Sequence, residues 1–258
     1  MELFLQADTW VALLTLTFLE IILGIDNIIF ISITAGKLPQ KSQKKAINIG
    51  LLLAMLFRIL LLMGVSYLIA MKDPFFSFDL SWLKADITGQ SLILFAGGIF
   101  LLVKSTSEIH QKVEGAGQKV SKTKAITVSF FKVIIQIVLI DIVFSFDSVL
   151  TAVGMTSGIE GALIIMIIAV IVSILIMMIF ATPVSNFVNK HPTIQMLALS
   201  FLILIGFMLV TEGAHLSNAV VFHQHVGAIP KGYLYFAIAF SLGVEALNMK
   251  LRKNERIS

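Results

Sequence analysis

"LEIILGIDNIIF", residues 19–30, sets Glu20, Asp26 and Asn27 inside a run of leucine, isoleucine and phenylalanine. A carboxylate in such a run costs several kcal/mol if it stays charged and unpaired. A chain that keeps two of them in its oiliest segment has a use for them. The rest of the chain says what kind of segment this is. The 258 residues are 58% hydrophobic and 13% charged, with a mean hydropathy of +0.98, whereas soluble domains run near 45–50% apolar and about 25% charged. This is the composition of an integral membrane protein. At about 20 residues per span plus loops, the length accommodates roughly six to eight spans. "MELFLQAD" carries acids where a signal peptide carries basic residues, so the first apolar run is expected to remain as a span.

The chain has no cysteine, which excludes disulfides, thiolate metal sites and thiol redox chemistry together. Its formal charge of +4 is no sign of nucleic-acid binding, because the lysines sit in short loops, where they set topology.

Seven apolar segments are predicted near 10–34, 46–70, 90–107, 128–152, 159–182, 194–211 and 232–249. The third, sixth and seventh are short, and reach spanning length if end residues such as Lys104 snorkel. Loop charge alternates. The first loop, "GKLPQKSQKKA", has four lysines, the third has Lys112, Lys119, Lys122 and Lys124, and the tail "KLRKNERIS" is basic. Glu2 and Asp8 precede the first span, and Asp73, Asp79 and Asp86 outnumber Lys72 and Lys84 in the second loop. Positive-inside logic places the N-terminus outside and the C-terminus in the cytoplasm.

The polar linker "EIHQKVEGAGQKVSKTKA" divides the chain into halves. In the second half, "LIDIVFSFDSVL", residues 139–150, aligns with the opening stretch without a gap. Glu20 falls on Asp141, Asp26 on Asp147 and Asn27 on Ser148. The third and sixth segments match more weakly, "GGIFLLV" beside "IGFMLV". Since the first span runs inward and the fourth outward, the repeat is inverted. The expected fold is all-α: one transmembrane domain over 1–258, a three-helix repeat over 10–107, its inverted copy over 128–211, and a seventh helix over 232–249. Inverted repeats are a transporter architecture with the site near the midplane.

Depth and direction sharpen the site. At ~1.5 Å per residue, Glu20 lies ~15 Å below Trp10, and Asp141 lies ~14 Å from Lys132 at the opposite face, so the two acids meet near the centre. Residues seven apart share a helix face, which pairs Glu20 with Asn27 and Asp141 with Ser148. Asp26 and Asp147 are rotated by roughly 120° from those stripes unless the helices break at Gly24 and Ser145. One site for all four acids, or two along a path, both remain open. Carboxylate, amide and hydroxyl oxygens make a hard site suited to Mg²⁺, Ca²⁺ or Mn²⁺. Arg58 in the second span is a candidate counter-ion, its alternative being a snorkelling or backbone-bonded arginine. Gln136 and Asn48 are candidate accessory oxygens that also read as helix-packing hydrogen bonders. Glu212 and Glu245 are expected as solvated interface residues. His215, His223 and His225 are expected in a solvated loop rather than in a metal site. The loop "MKDPFFSFDLSWLKADITG" is expected at the outer interface.

"LEIILGIDNIIF", "DIVFSFDSVLTAVGMTSG" and "IPKGYLYFAIAFSLGVEALNMKLRK" together resemble the TerC family of bacterial inner-membrane proteins, over nearly the whole chain. That resemblance implies Mn²⁺ as the transported substrate, outward movement across the plasma membrane, and ion carriage by Glu20, Asp26, Asp141 and Asp147. No resident cofactor is expected. Proton exchange is expected because four buried acids need neutralising when the metal leaves. Rival readings are an intramembrane aspartyl hydrolase with a facing acid dyad and a scaffold working with secretion machinery. A tellurite reductase is disfavoured by the absence of cysteine.

Overall fold

The computed structural model describes residues 5, 7–115, 129–156, 158, 159 and 161–255, with the side chains of 25, 26, 66, 115 and 253–255 outside that description. The helices are α1 (Ala7–Ala35), α2 (Gln40–Met63), α3 (Val65–Ala70), α4 (Gly89–Gly115), α5 (Phe130–Met155), α6 (Ala162–Lys190), α7 (Pro192–Leu216) and α8 (Lys231–Glu255). Among the described residues, seven of them are long and apolar enough to cross a membrane, all but α3.

Two expectations change. α4, α7 and α8 each outrun their oily windows by several residues, so none depends on snorkelling to reach across. Hydropathy marks the lipid-facing stretch, whereas the i→i−4 ladder continues through polar residues beyond it. Lys104 accordingly donates to Glu108 at 2.6 Å, one turn along α4, instead of reaching for headgroups. The all-α architecture holds, but the loops between its helices are not wholly irregular and carry one small sheet. Strands β1 (Pro74–Asp79) and β2 (Leu83–Thr88) form a hairpin closed by reciprocal bonds between Leu80 and Leu83. β3 (Val220–Val221) and β4 (Gln224–His225) extend it to a sheet in the order β1-β2-β3-β4, with Leu83 opposite Val221 and Val220 opposite His225. "FSFD" alternates aromatic and polar residues, the period-two pattern of a strand.

The chain forms two compact units. The first contains α1, α2, α3, α5 and α6; the second contains the sheet, α7, α8 and all but the first two residues of α4. Within the first, α1 and α5 run antiparallel: Asp8 lines a cleft with Thr156, while Asn27 reaches back to Asp141. α6 runs parallel to α1, meeting it at Gly24 through Met177 and at Gly36 through Asn189. α2 runs parallel to α5, with Gly50 against Ile137 and Arg58 against Asp141. Within the second, α4 and α7 run antiparallel, pairing Ser91 with Gly213, Gly98 with Gly206, and Lys112 with Gln195. Gly98 and Gly206 touch backbone to backbone; a Cβ on Gly98 would stand 2.7 Å from the Gly206 carbonyl oxygen.

Candidate functional site

Glu20 of α1, Arg58 of α2 and Asp141 of α5 meet in the interior of the first unit, only 5%, 2% and 4% exposed. All three are buried within apolar stretches of their helices, away from lipid and bulk water, so they must satisfy one another. Arg58 Nη1 donates to Glu20 Oε2 at 2.5 Å, and Nη2 and Nε donate to the two oxygens of Asp141 at 2.7 and 3.1 Å. The fork-on-carboxylate geometry toward Asp141 is one that arginine provides and lysine does not. Arg58 is thus the counter-ion, neither snorkelling nor backbone-bonded, and the two acids that the sequence aligns are joined by a single guanidinium.

Around this core, Asn27 Nδ2 donates to Asp141 Oδ1 at 3.4 Å, a long bond. Asn27 Oδ1 is buried and has no hydrogen-bond partner among the described residues. A buried amide oxygen left unmatched beside two carboxylates is poised to accept from, or coordinate, something that arrives there. Ser145 Oγ donates to Asp141 Oδ2 at 3.0 Å. This serine was not among the candidate ligands. Its signal was present, since i→i+4 on a helix places it directly over Asp141.

The remaining candidates divide. Ser148 is buried but bonds the Ser145 carbonyl at 3.3 Å, and Asp147 is half-buried on a neighbouring face of α5. The Asp26 side chain lies outside the described residues. α1 and α5 run as continuous helices through Gly24 and Ser145, with no break at either position. Gly24 serves packing instead: a Cβ there would overlap Met177 Sδ. Asn48 and Gln136 are half-buried on α2 and α5 and are not in the Arg58 network. Among the described residues, no three of His, Asp and Glu gather into a ready-made metal cage. His223 and His225 are exposed at the β3–β4 turn. Glu245 is not simply solvated: it accepts from Thr193 Oγ1 at 2.6 Å and Arg252 at 3.0 Å.

Charge accounting gives the chemistry. Two carboxylates and one guanidinium leave one negative charge in a region of low dielectric, which is attractive to a cation. The available atoms are all oxygens, a hard ligand set.

Comparison with known proteins bears on this site. No solved structure matches the chain. A UPF0053 protein of Haemophilus influenzae is 42% identical over 246 residues, covering 95% of each chain. The UPF0053 inner membrane protein YgdQ of Escherichia coli K12 is 43% identical over 242 residues, 94% of this chain and 93% of that one. The UPF0053 protein YegH of the same organism is 43% identical over 256 residues, and this chain spans only 45% of its length. The profile of the integral membrane protein TerC family matches residues 5–256. This chain belongs to the integral membrane protein TerC family.

Proposed function

We propose that this protein is a transporter exporting Mn²⁺ across the bacterial inner membrane, and not an enzyme. The observation that carries the reading is the buried joining of Glu20 and Asp141 by Arg58. In a two-fold repeat, equivalent residues can touch only near the symmetry axis. Within the first unit Glu20 and Asp141 are brought together through Arg58, and within the second Gly98 meets Gly206 directly. The three helix pairs that the repeat equates, α1 with α5, α2 with α6 and α4 with α7, each run in opposite directions, as an inverted repeat requires. These directions support the repeat over 10–107 and 128–211, with α8 added.

In this reading Arg58 is a tethered stand-in cation. It holds the two acids while no divalent ion is bound, and the arriving ion takes oxygens from it. Asn27 Oδ1 supplies a further ligand, and Asp26, Asp147 and Ser148 line the route to either side. Arg58 offsets one of the two central charges, so the case for proton exchange rests on the other one and on Asp26 and Asp147. A guanidinium wedged between the carboxylates also speaks against a hydrolase dyad, whose acids share a proton directly. The relative YgdQ is named an inner membrane protein; the same location is proposed here, N-terminus outside and C-terminus cytoplasmic. Purified protein in liposomes tests the reading. Mn²⁺ flux that responds to an imposed pH gradient and vanishes in Glu20→Gln and Asp141→Asn is expected; no flux of Mn²⁺, Ca²⁺ or Mg²⁺ by the wild type would refute it.

A further inference from the structure

We propose that Leu16 is the gate on the open side of a path to Glu20, and that Ile137 is its counterpart on the closed side. The inference rests on the transporter reading above and adds the route by which a cation reaches the acids.

Asp8, Ala12, Leu16 and Glu20 follow one another at four-residue intervals along α1, a row that winds around the helix by about 40° per step. A cleft of about 250 Å³ lies between the beginning of α1 and the end of α5, with Asp8, Thr15 and Thr156 as its polar lining. Leu16 is among its lining residues. On the far side of Leu16 is a void of about 10 Å³, bounded by Glu20, Val149 and Ala152 among others. That is the room of a single water. Among the described residues, Leu16 is the one that lines both spaces, and it is 3% exposed. An apolar, buried side chain therefore stands where the lining of the cleft meets the lining of the void at Glu20, a position of the kind that gates ion paths.

The same register that sets Glu20 on Asp141 carries Leu16 to Ile137 and Ala12 to Val133, and carries Thr156 back to Ala35. At that opposite end the described counterparts Val133, Ile137 and Ala35 are each 0% exposed. Ile137 packs into the notch left by Gly50, its Cγ2 2.7 Å from where a glycine Cβ would stand. Corresponding positions thus line a cleft in one copy and a tight seam in the other. Two copies of one motif held in unequal conformations are what access from one side at a time requires.

The cysteine-free chain makes the test direct. Single cysteines are introduced as Thr15→Cys in the cleft, Ala152→Cys behind the gate and Val133→Cys in the closed seam. Each is labelled with a charged, water-soluble methanethiosulfonate reagent in detergent, where both ends meet the reagent. The cleft cysteine is expected to react at least an order of magnitude faster than the other two. Adding Leu16→Ala is expected to raise the Ala152→Cys rate by an order of magnitude and leave Thr15→Cys unchanged. Equal rates at all three positions, or an Ala152→Cys rate indifferent to Leu16→Ala, would overturn the proposal. Labelling is blind to which ion is carried. The expected pattern without Mn²⁺ or Ca²⁺ flux would sink the transporter reading and keep the gate, whereas flux with uniform labelling would sink the gate alone.

Discussion

Arg58→Met is the substitution that asks most of the site. Methionine keeps much of the apolar stem and deletes the guanidinium, which makes three bonds, one to Glu20 and two to Asp141. The two acids are then left together, buried and unpaired. Breaking a buried ion pair by removing one partner costs about 3–5 kcal/mol. At roughly 2–4 °C per kcal/mol for a chain of this size, the unfolding temperature falls by roughly 6–20 °C. Arg58→Lys keeps the charge but loses the fork, and is expected to fall between wild type and Arg58→Met. The triple variant Glu20→Gln, Arg58→Met, Asp141→Asn removes all three charges together, and is expected to recover most of the loss. The assay is thermal unfolding of purified protein in one detergent, followed by tryptophan fluorescence. An Arg58→Met protein as stable as wild type would refute the reasoning, because the acids would then have another source of compensation. A triple variant no better than Arg58→Met would show that shape, and not charge, is what the arginine supplies.

Asn27→Ala is expected to weaken Mn²⁺ transport while shifting stability by less than about 1 kcal/mol, since its only bond in the network is long and its carbonyl oxygen is unmatched; flux and unfolding on the same preparation check both halves. Asp26→Asn and Asp147→Asn are each expected to abolish export without lowering stability, read as manganese sensitivity of an exporter-deficient strain at matched protein levels. Gly98→Ala is expected to destabilise by roughly 1–3 kcal/mol, because the new methyl meets the Gly206 carbonyl, which is backbone and has little room to retreat. The double variant His223→Ala, His225→Ala is expected to leave manganese tolerance unchanged, both side chains being exposed.

The spans and the central acids were legible because lipid imposes a simple rule: apolar length for the helices, and partners for every charge. Glu20 and Asp141 stood out for that reason, and equal spacing within the motif tied them together. The role of Arg58 was visible only as one of two options. A lone arginine near mid-span is compatible with snorkelling until the position of α5 is known, and a contact across 83 residues has no local signature. Ser145 was passed over because serine in a helix usually bonds its own backbone. The loop strands were missed because seven long apolar runs set the expectation of a wholly helical chain, and β3 and β4 are only two residues each. The third span was predicted to end at 107, whereas α4 continues through Glu108 to Gly115, because the apolar signal stops and the backbone ladder does not.

Arg58 has a consequence for how the chain is made. α6, the helix corresponding to α2, carries no cation before Lys190 at its end, so one half supplies the positive charge for both. Chains are synthesised and fold from the N-terminus. Glu20 enters first, and Arg58 follows 38 residues later in the adjoining helix, so the first hairpin can reach lipid already paired. Asp141 arrives long afterwards, when its cation is in place and waiting. Reversed, with the second half leading, Asp141 would enter before Arg58 is made. The pairing of Asp141 is thereby tied to a helix made 83 residues earlier.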